Sequence, residues 1–159
     1  DPLFIVRRMV IFASEDIGNA DLRSLQLMLS VQQAVHFVGL PEARINLAQG
    51  VTYLATAPKS NASYVGIKEA QAEVKNSGTL AVPLHIRNAP TKLMKNLDYG
   101  NGYKYAHDAA SGYQEQEYLP EELQGKKYYR PTGRGYEKTI GERMAWWQQI
   151  KKNDPKTKG

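Results

Sequence analysis

The sequence predicts a mainly α-helical domain, a helical bundle or stacked helical pairs, with a small irregular or hairpin segment near 98–132. Three observations lead there. Four successive stretches between residues 1 and 76 carry apolar residues at helical spacing, each bounded by capping residues, glycine or proline. The links between them are short, as in helices that pack on their neighbours. A fifth long periodic stretch closes the chain at 136–152, and no internal repeat is present.

Asp1-Pro2 opens the first helix as cap and first-turn proline, and Gly18 can end it. Through Ile17 nearly every position is apolar, and the exceptions Arg7, Arg8, Ser14 and Glu15 recur at spacing seven. Such a helix is expected to be buried on most sides. The second helix starts at Asn19 or Asp21 and runs to Val38, closed by Gly39 and Pro41. It carries two apolar faces: Leu25, Met28, Leu29 and Val35, and Leu27, Val31, Ala34 and Val38. Two faces imply packing between neighbours or against another subunit, and Leu27, Val31, Ala34 and Val38 are the candidate oligomer-interface residues. The third helix covers 42–57, with Pro58 as its stop and Gly50 marking close helix packing. The fourth starts from a Ser60 or Asn61 cap and runs to Asn76, with Tyr64, Ile67 and Val74 expected to face inward.

Beyond it, 79–87 reads as extended, because Pro83 disfavours helix at Val82. Asn88 and Pro90 signal a short helix at 89–97, and Gly100-Asn101-Gly102 a turn. A further short helix is expected at 120–124, and 113–119 with 126–130 are the candidate hairpin strands. On the last helix Tyr136, Ile140, Met144, Trp147 and Ile150 form one stripe. Residues 1–152 therefore read as one helical domain with an irregular insertion at 98–132, and 153–159 as a flexible tail.

Composition narrows the function classes. A hydrophobic share of 42% with 23% charged residues excludes a chain disordered throughout. With no cysteine there is no disulfide, thiolate metal site or cysteine nucleophile, which fits a reducing compartment. No apolar run approaches the roughly 18 residues of a membrane span, and residues 3–13, the most apolar segment, lack the cationic leader of a signal peptide. The chain opens on Asp1 without a methionine, so it reads as an excised piece of a longer protein, although a processed chain would look the same.

The net charge of +5 is unevenly spread. Residues 1–80 balance and 81–125 are slightly acidic, whereas 126–159 hold ten Lys/Arg against three Asp/Glu. A positive patch attracts polyanions, nucleic acid first. Two clusters combine cations with aromatic faces: Tyr103, Lys104, Tyr105 and His107, and Lys126, Lys127, Tyr128, Tyr129, Arg130 and Arg134. Cations neutralise phosphates, and rings stack on unpaired bases for about 1–3 kcal/mol each. Candidate DNA-binding residues are accordingly Tyr103, Lys104, Tyr105, Lys126, Lys127, Tyr128, Arg130 and Arg134.

Catalytic signatures are missing. No GxxxxGK[ST] loop occurs, and Gly100-Asn101-Gly102 lacks the third glycine of a dinucleotide fingerprint. His36, His85 and His107 show neither HExxH nor HxH spacing, and no nucleophile elbow accompanies a serine. Glu121 and Glu122 are adjacent and so point apart on a helix. No catalytic, cofactor-binding or metal-binding residue is assigned; His107 and Asp108 with nearby tyrosines are the remaining enzyme reading.

The blocks DPLFIVRRMVIFASEDIGNAD (1–21), LPEARINLAQGVTYLATAPKSN (40–61), VPLHIRNAPTKLMKNLDYGNGYKYAHD (82–108) and QEYLPEELQGKKYYRPTGRGYEKTI (116–140) resemble, in this order, the C-terminal part of one AAA+ ATPase family. That family is the replication-associated recombination protein A family (RarA, also MgsA), with the Werner helicase-interacting protein as eukaryotic relative. The resemblance implies a domain akin to the clamp-loader collar that assembles the ATPase into a homotetramer. It further implies action on single-stranded or gapped DNA at stalled forks, in replication, recombination and repair, with single-stranded DNA-binding protein as a partner. A cytoplasmic, nucleoid-associated location follows, with no membrane partner. ATP and Mg are implied for the full-length protein, at a site upstream, and no cofactor for this segment. The alternative is an autonomous single-stranded DNA-binding module that uses the basic, tyrosine-rich C-terminal segment.

Overall fold

A computed structural model describes residues 1–108, 113–114 and 116–153. Among these residues the secondary structure is helical and contains no strand. Six α-helices occur: α1 (Pro2–Phe12), α2 (Ser24–Val38), α3 (Arg44–Thr56), α4 (Ala62–Ser77), α5 (Lys92–Asn96) and α6 (Glu137–Asn153). The chain divides into two compact units, one of residues 1–72 with 128–146 and one of 73–127 with 147–159. The tail expected at 153–159 lies, after Asn153, outside the described residues.

In the first unit, Asp1 caps α1 by accepting the Leu3 N–H at 2.9 Å, with Pro2 at the first helical position. The helix does not run uniformly to Ile17. After Phe12 it widens into a π-turn, Ala13–Ile17, which buries Ala13 and Ile17, and a 3₁₀ turn Gly18–Ala20 follows. The helix α2 starts at Ser24, later than expected, because Asp21 acts one turn ahead of it: its carboxylate accepts the Arg23 N–H at 3.1 Å and the Ser24 hydroxyl at 2.8 Å.

The core joins Val6, Met9, Ala13, Ile17, Met28, Val31, Val35, Ala43 and Leu54 from α1, the π-turn, α2, the α2–α3 link and α3. On α2 the buried residues are Ser24, Met28, Val31 and Val35, a stripe drawn from both of the faces expected from sequence. Gly50 sits where α3 crosses α1 and α2. A Cβ there would lie 2.5 Å from the Met9 methyl and 3.3 Å from Val31, so the helices approach closely at this point. Two expectations are corrected. α1 buries only Val6 and Met9 and leaves Leu3, Phe4 and Ile5 exposed. α4 buries Ala62 and Gly66, while Tyr64, Ile67 and Val74 face outward.

In the second unit, Thr91 rather than Asn88 caps α5, its hydroxyl accepting the Met94 N–H at 3.2 Å. Residues 79–87 are irregular except for a 3₁₀ turn at Leu84–Ile86, and the helix expected at 120–124 is a 3₁₀ turn, Glu121–Leu123. Of the two forms foreseen for 98–132, the irregular one is present; the described residues of 113–119 and 126–130 form no hairpin. Tyr113 stacks on Trp147, rings 5.7 Å apart and nearly parallel.

Gly135 closes the loop before α6 with φ +52°, and a Cβ there would lie 2.1 Å from the Ala20 carbonyl oxygen. That oxygen accepts the Tyr136 N–H at 2.8 Å, so it has no freedom to retreat. Gly135→Ala is expected to cost at least roughly 1–3 kcal/mol, a fall in Tm of about 3–10 °C. Gly133→Ala, with open space around it, should leave Tm unchanged. Thermal unfolding of the two variants side by side checks this, and equal midpoints would contradict it.

Candidate functional site

The first basic–aromatic cluster is shaped by the turn that follows α5. Asp98, Gly100 and Gly102 all have positive φ. The Gly100 N–H donates to the Leu84 carbonyl at 2.8 Å, folding the turn back on the 3₁₀ segment. Arg87 lies 4.9 Å over the Tyr99 ring, and the Lys104 N–H donates to the Gln116 side-chain oxygen at 2.7 Å. Held from both sides, the strip leaves Tyr103 and Tyr105 exposed at 52% and 54%. The His107 ring lies 5.1 Å from that of Tyr105, tilted by 50°. His107 and Asp108 are both exposed. Gly100-Asn101-Gly102 thus serves as a turn that presents rings.

The second cluster is differently employed. Lys126 is paired with Glu73. Arg130 grips both oxygens of Glu69, at 2.7 and 2.9 Å. Arg134 donates to the Lys59 carbonyl at 3.2 Å, and Tyr128 is half-buried. Of its basic residues, only Lys127 has no polar partner among the described residues. Two of the charges counted from sequence as a DNA patch are therefore balanced in place by acids of α4. Exposed pairs of this kind are worth little energetically, but they lower the local field.

Tyr129, counted in the same cluster, belongs to the most connected polar group of the first unit. Its hydroxyl donates to Glu137 at 2.8 Å and accepts from the Asn19 side-chain amide at 3.1 Å. Glu137, the first residue of α6, is fully buried. Its carboxylate also accepts the Ser60 hydroxyl at 2.7 Å, the Thr132 N–H at 2.6 Å and the Thr132 hydroxyl at 2.8 Å. Burial pushes its pKa up, but the bonds from Ser60, Thr132 and Tyr129 together outweigh it, and the carboxyl is held below its ordinary value. A smaller group of the same kind joins Asp21 to Tyr53, whose hydroxyl donates at 2.6 Å. There too burial is outweighed, first by the Tyr53 bond, and Asp21 is held low. By sequence, Glu137 is only one acid in a basic segment. Its one visible signal was its place directly after Gly135-Tyr136, at the start of an apolar stripe.

The apolar surface is extensive. Of the residues chosen from sequence as interface candidates, Val31 is enclosed in the chain's own core, Leu27 packs against that core, Ala34 is half-buried and Val38 is exposed. The exposed apolar side chains of α2 are Leu25, Leu29, Phe37 and Val38, with Leu22 before it and Leu40 after it. A groove of about 460 Å³ runs between α1 and α3, walled by Phe4, Ile5, Met9, Phe12, Val51 and Leu54. The sequence contains no GxxxxGK[ST] loop, and no group of three potential metal ligands occurs among the described residues. Among the described residues no helix is long and apolar enough to cross a membrane.

A family model described as MgsA AAA+ ATPase C terminal matches residues 1–148. The replication-associated recombination protein A of Coxiella burnetii is 49% identical over 151 residues, covering 94% of this chain and 34% of that protein. The protein of the same name from Escherichia coli K12 is 46% identical, covering 98% of this chain and 35% of the relative. The ATPase WRNIP1 of Dictyostelium discoideum is 45% identical over 130 residues, covering 81% of this chain and 15% of that protein. The chain thus spans about a third of the length of these bacterial relatives.

The Glu137 network sets an expected stability profile. Glu137→Ala leaves four donors without their acceptor and should cost roughly 2–5 kcal/mol at pH 7. A carboxyl held low in the folded state stabilises the fold fully above its unfolded pKa and loses that contribution as pH falls through the folded one. The gap between the native chain and Glu137→Gln should therefore be constant down to about pH 5 and narrow below about pH 4. Urea unfolding of both proteins across pH 3–7 measures it, and a gap that widened in acid would refute this account.

Proposed function

Because the chain belongs to the MgsA AAA+ ATPase C-terminal family, we propose that it is a non-catalytic, tetramer-forming domain of a DNA-dependent ATPase acting in replication, recombination and repair at stalled forks. The observation that carries this is the surplus of exposed apolar side chains on the first unit. Phe4, Leu25, Leu29, Phe37 and Val38 remain outside a core that is already closed by α1, α2 and α3. A surplus of exposed large apolar side chains on a folded domain suits an interaction site. Val38 and the exposed edge of α2 serve that role, with Leu27 and Val31 supporting it from within. In this reading ATP and Mg are bound and hydrolysed elsewhere in the full-length protein, which works in the cytoplasm on single-stranded or gapped DNA with single-stranded DNA-binding protein.

One observation favours a second, compatible role. Tyr103 and Tyr105 expose two rings beside Lys104 and His107 in a turn held from both sides. Such a strip suits stacking on unpaired bases. The second cluster, with Lys126, Tyr128, Arg130 and Arg134 engaged internally, contributes mainly through Lys127.

Light scattering of the 159-residue chain at high micromolar concentration should give the mass of four copies; a strict monomer would count against the assembly role. For the second role, the double substitution Tyr103→Ala and Tyr105→Ala should weaken single-stranded DNA binding by at least about tenfold. Lys126→Glu with Arg130→Glu should matter less. Fluorescence anisotropy at two salt concentrations compares them, and the opposite order would move the contact to the second cluster.

A further inference from the structure

Glu69 and Glu73 stand four residues apart on α4, the spacing at which helix side chains are neighbours. Like charges at that spacing repel and weaken a helix when left bare. Each is instead matched by a cation from the 126–130 segment. In the first unit Arg130 Nη1 donates to both Glu69 oxygens, at 2.9 and 2.7 Å. In the second unit Lys126 pairs with Glu73. Both cations remain at the surface, with the Arg130 and Lys126 side chains 61% and 43% exposed.

These pairs are not what holds the Arg130 side of the segment. At Gly66 the chain passes so close to α4 that a Cβ would lie 3.0 Å from the Tyr128 carbonyl oxygen. The Tyr129 hydroxyl is fixed between Glu137 and Asn19. An exposed ion pair adds little to such anchoring. What it changes is the field, because a carboxylate beside a cation cancels the pull of that cation on a polyanion. Carboxylate and phosphate oxygens are alternative partners for the same guanidinium and ammonium donors. Lys127, next to Lys126 in sequence and without a polar partner among the described residues, is what such a cation offers when no acid covers it.

We propose that Glu69 and Glu73 are built-in competitors of phosphate: they occupy Arg130 and Lys126 and so keep these two cations from the backbone of single-stranded DNA. The proposal rests on the second, DNA-binding role above and adds to it a further contact and the groups that restrain it. The two pairs act independently, one in each unit. Affinity for the strand is then set by the acids of α4 as much as by the number of basic residues.

The test is fluorescence anisotropy of a labelled oligothymidylate with the 159-residue chain, across a series of salt concentrations. The double substitution Glu69→Gln and Glu73→Gln should tighten binding about three- to thirtyfold at low salt. It should also steepen the dependence of log affinity on log salt by about 1 to 1.5, the contribution of two further phosphate contacts on a single strand. Adding Lys126→Gln and Arg130→Gln restores the native net charge and should return both quantities to native values. Glu121→Gln with Glu122→Gln makes the same change in net charge at two exposed acids without an ion pair among the described residues, and should give a clearly smaller gain. Thermal unfolding checks that each variant is folded, and Glu69→Gln alone carries the test should the double variant unfold. No gain from the neutralised acids overturns the proposal, as does an equal gain from the Glu121 and Glu122 control or a gain that survives loss of Lys126 and Arg130. In each of these cases, binding by the native chain that is lost with Tyr103→Ala and Tyr105→Ala leaves the DNA-binding reading standing. Absence of binding by both the native and the neutralised chain overturns that reading, and this proposal with it.

Discussion

The Glu137 carboxylate is the constraint on which the first unit depends. It draws donors from three places far apart in sequence: Ser60 before α4, Tyr129 and Thr132 in the loop before α6, and, through Tyr129, Asn19 after the π-turn. Burying a carboxylate is costly unless its lone pairs are satisfied, and here they are. The same requirement makes the arrangement specific, since a shift of α6 along its axis would leave an ionised group in an apolar setting. The Tyr136 N–H on the Ala20 carbonyl and the Arg134 guanidinium on the Lys59 carbonyl attach the same region a second and third time.

Around this polar anchor the apolar residues are distributed by helix geometry. One stripe of α2 fills the space against α1 and α3, and Gly50 leaves room for Met9 and Val31 to pack against the α3 backbone. That leaves the remaining apolar residues of α1 and α2 without an internal partner. Three helices of this size cannot enclose all of them, because a helix apolar nearly all round needs neighbours on every side. The residual apolar surface is what these helices leave uncovered within the first unit.

Much of this was legible in the chain. The four helices up to Ser77, the stop at Gly18, the tight crossing at Gly50 and the turn at Gly100 follow from caps, spacing and glycine, which are local signals. What was not legible depends on partners distant in sequence. Leu27, Val31, Ala34 and Val38 share helical spacing with a second stripe, and only the position of α3 decides which one is buried. Tyr64, Ile67 and Val74 look like an inward face until Ala62 and Gly66 take that place. Lys126 and Arg130 read as a DNA patch because sequence counts charges without showing Glu73 and Glu69 opposite them. The family blocks were readable throughout, since long ordered strings carry information that short motifs do not.

The first unit is discontinuous: residues 1–72 are completed by 128–146, with 73–127 between them. Ser60 and Glu137 are 77 positions apart, and Asn19 and Tyr129 are 110 apart. On the ribosome, the leading three helices emerge with their core residues already adjacent, yet they must wait for the whole intervening segment before their polar seam can close. Loop closure over that distance is slow compared with local helix formation. Without residue 137 the Ser60 hydroxyl loses the carboxylate that accepts it, so the seam closes only when the last helix has been made.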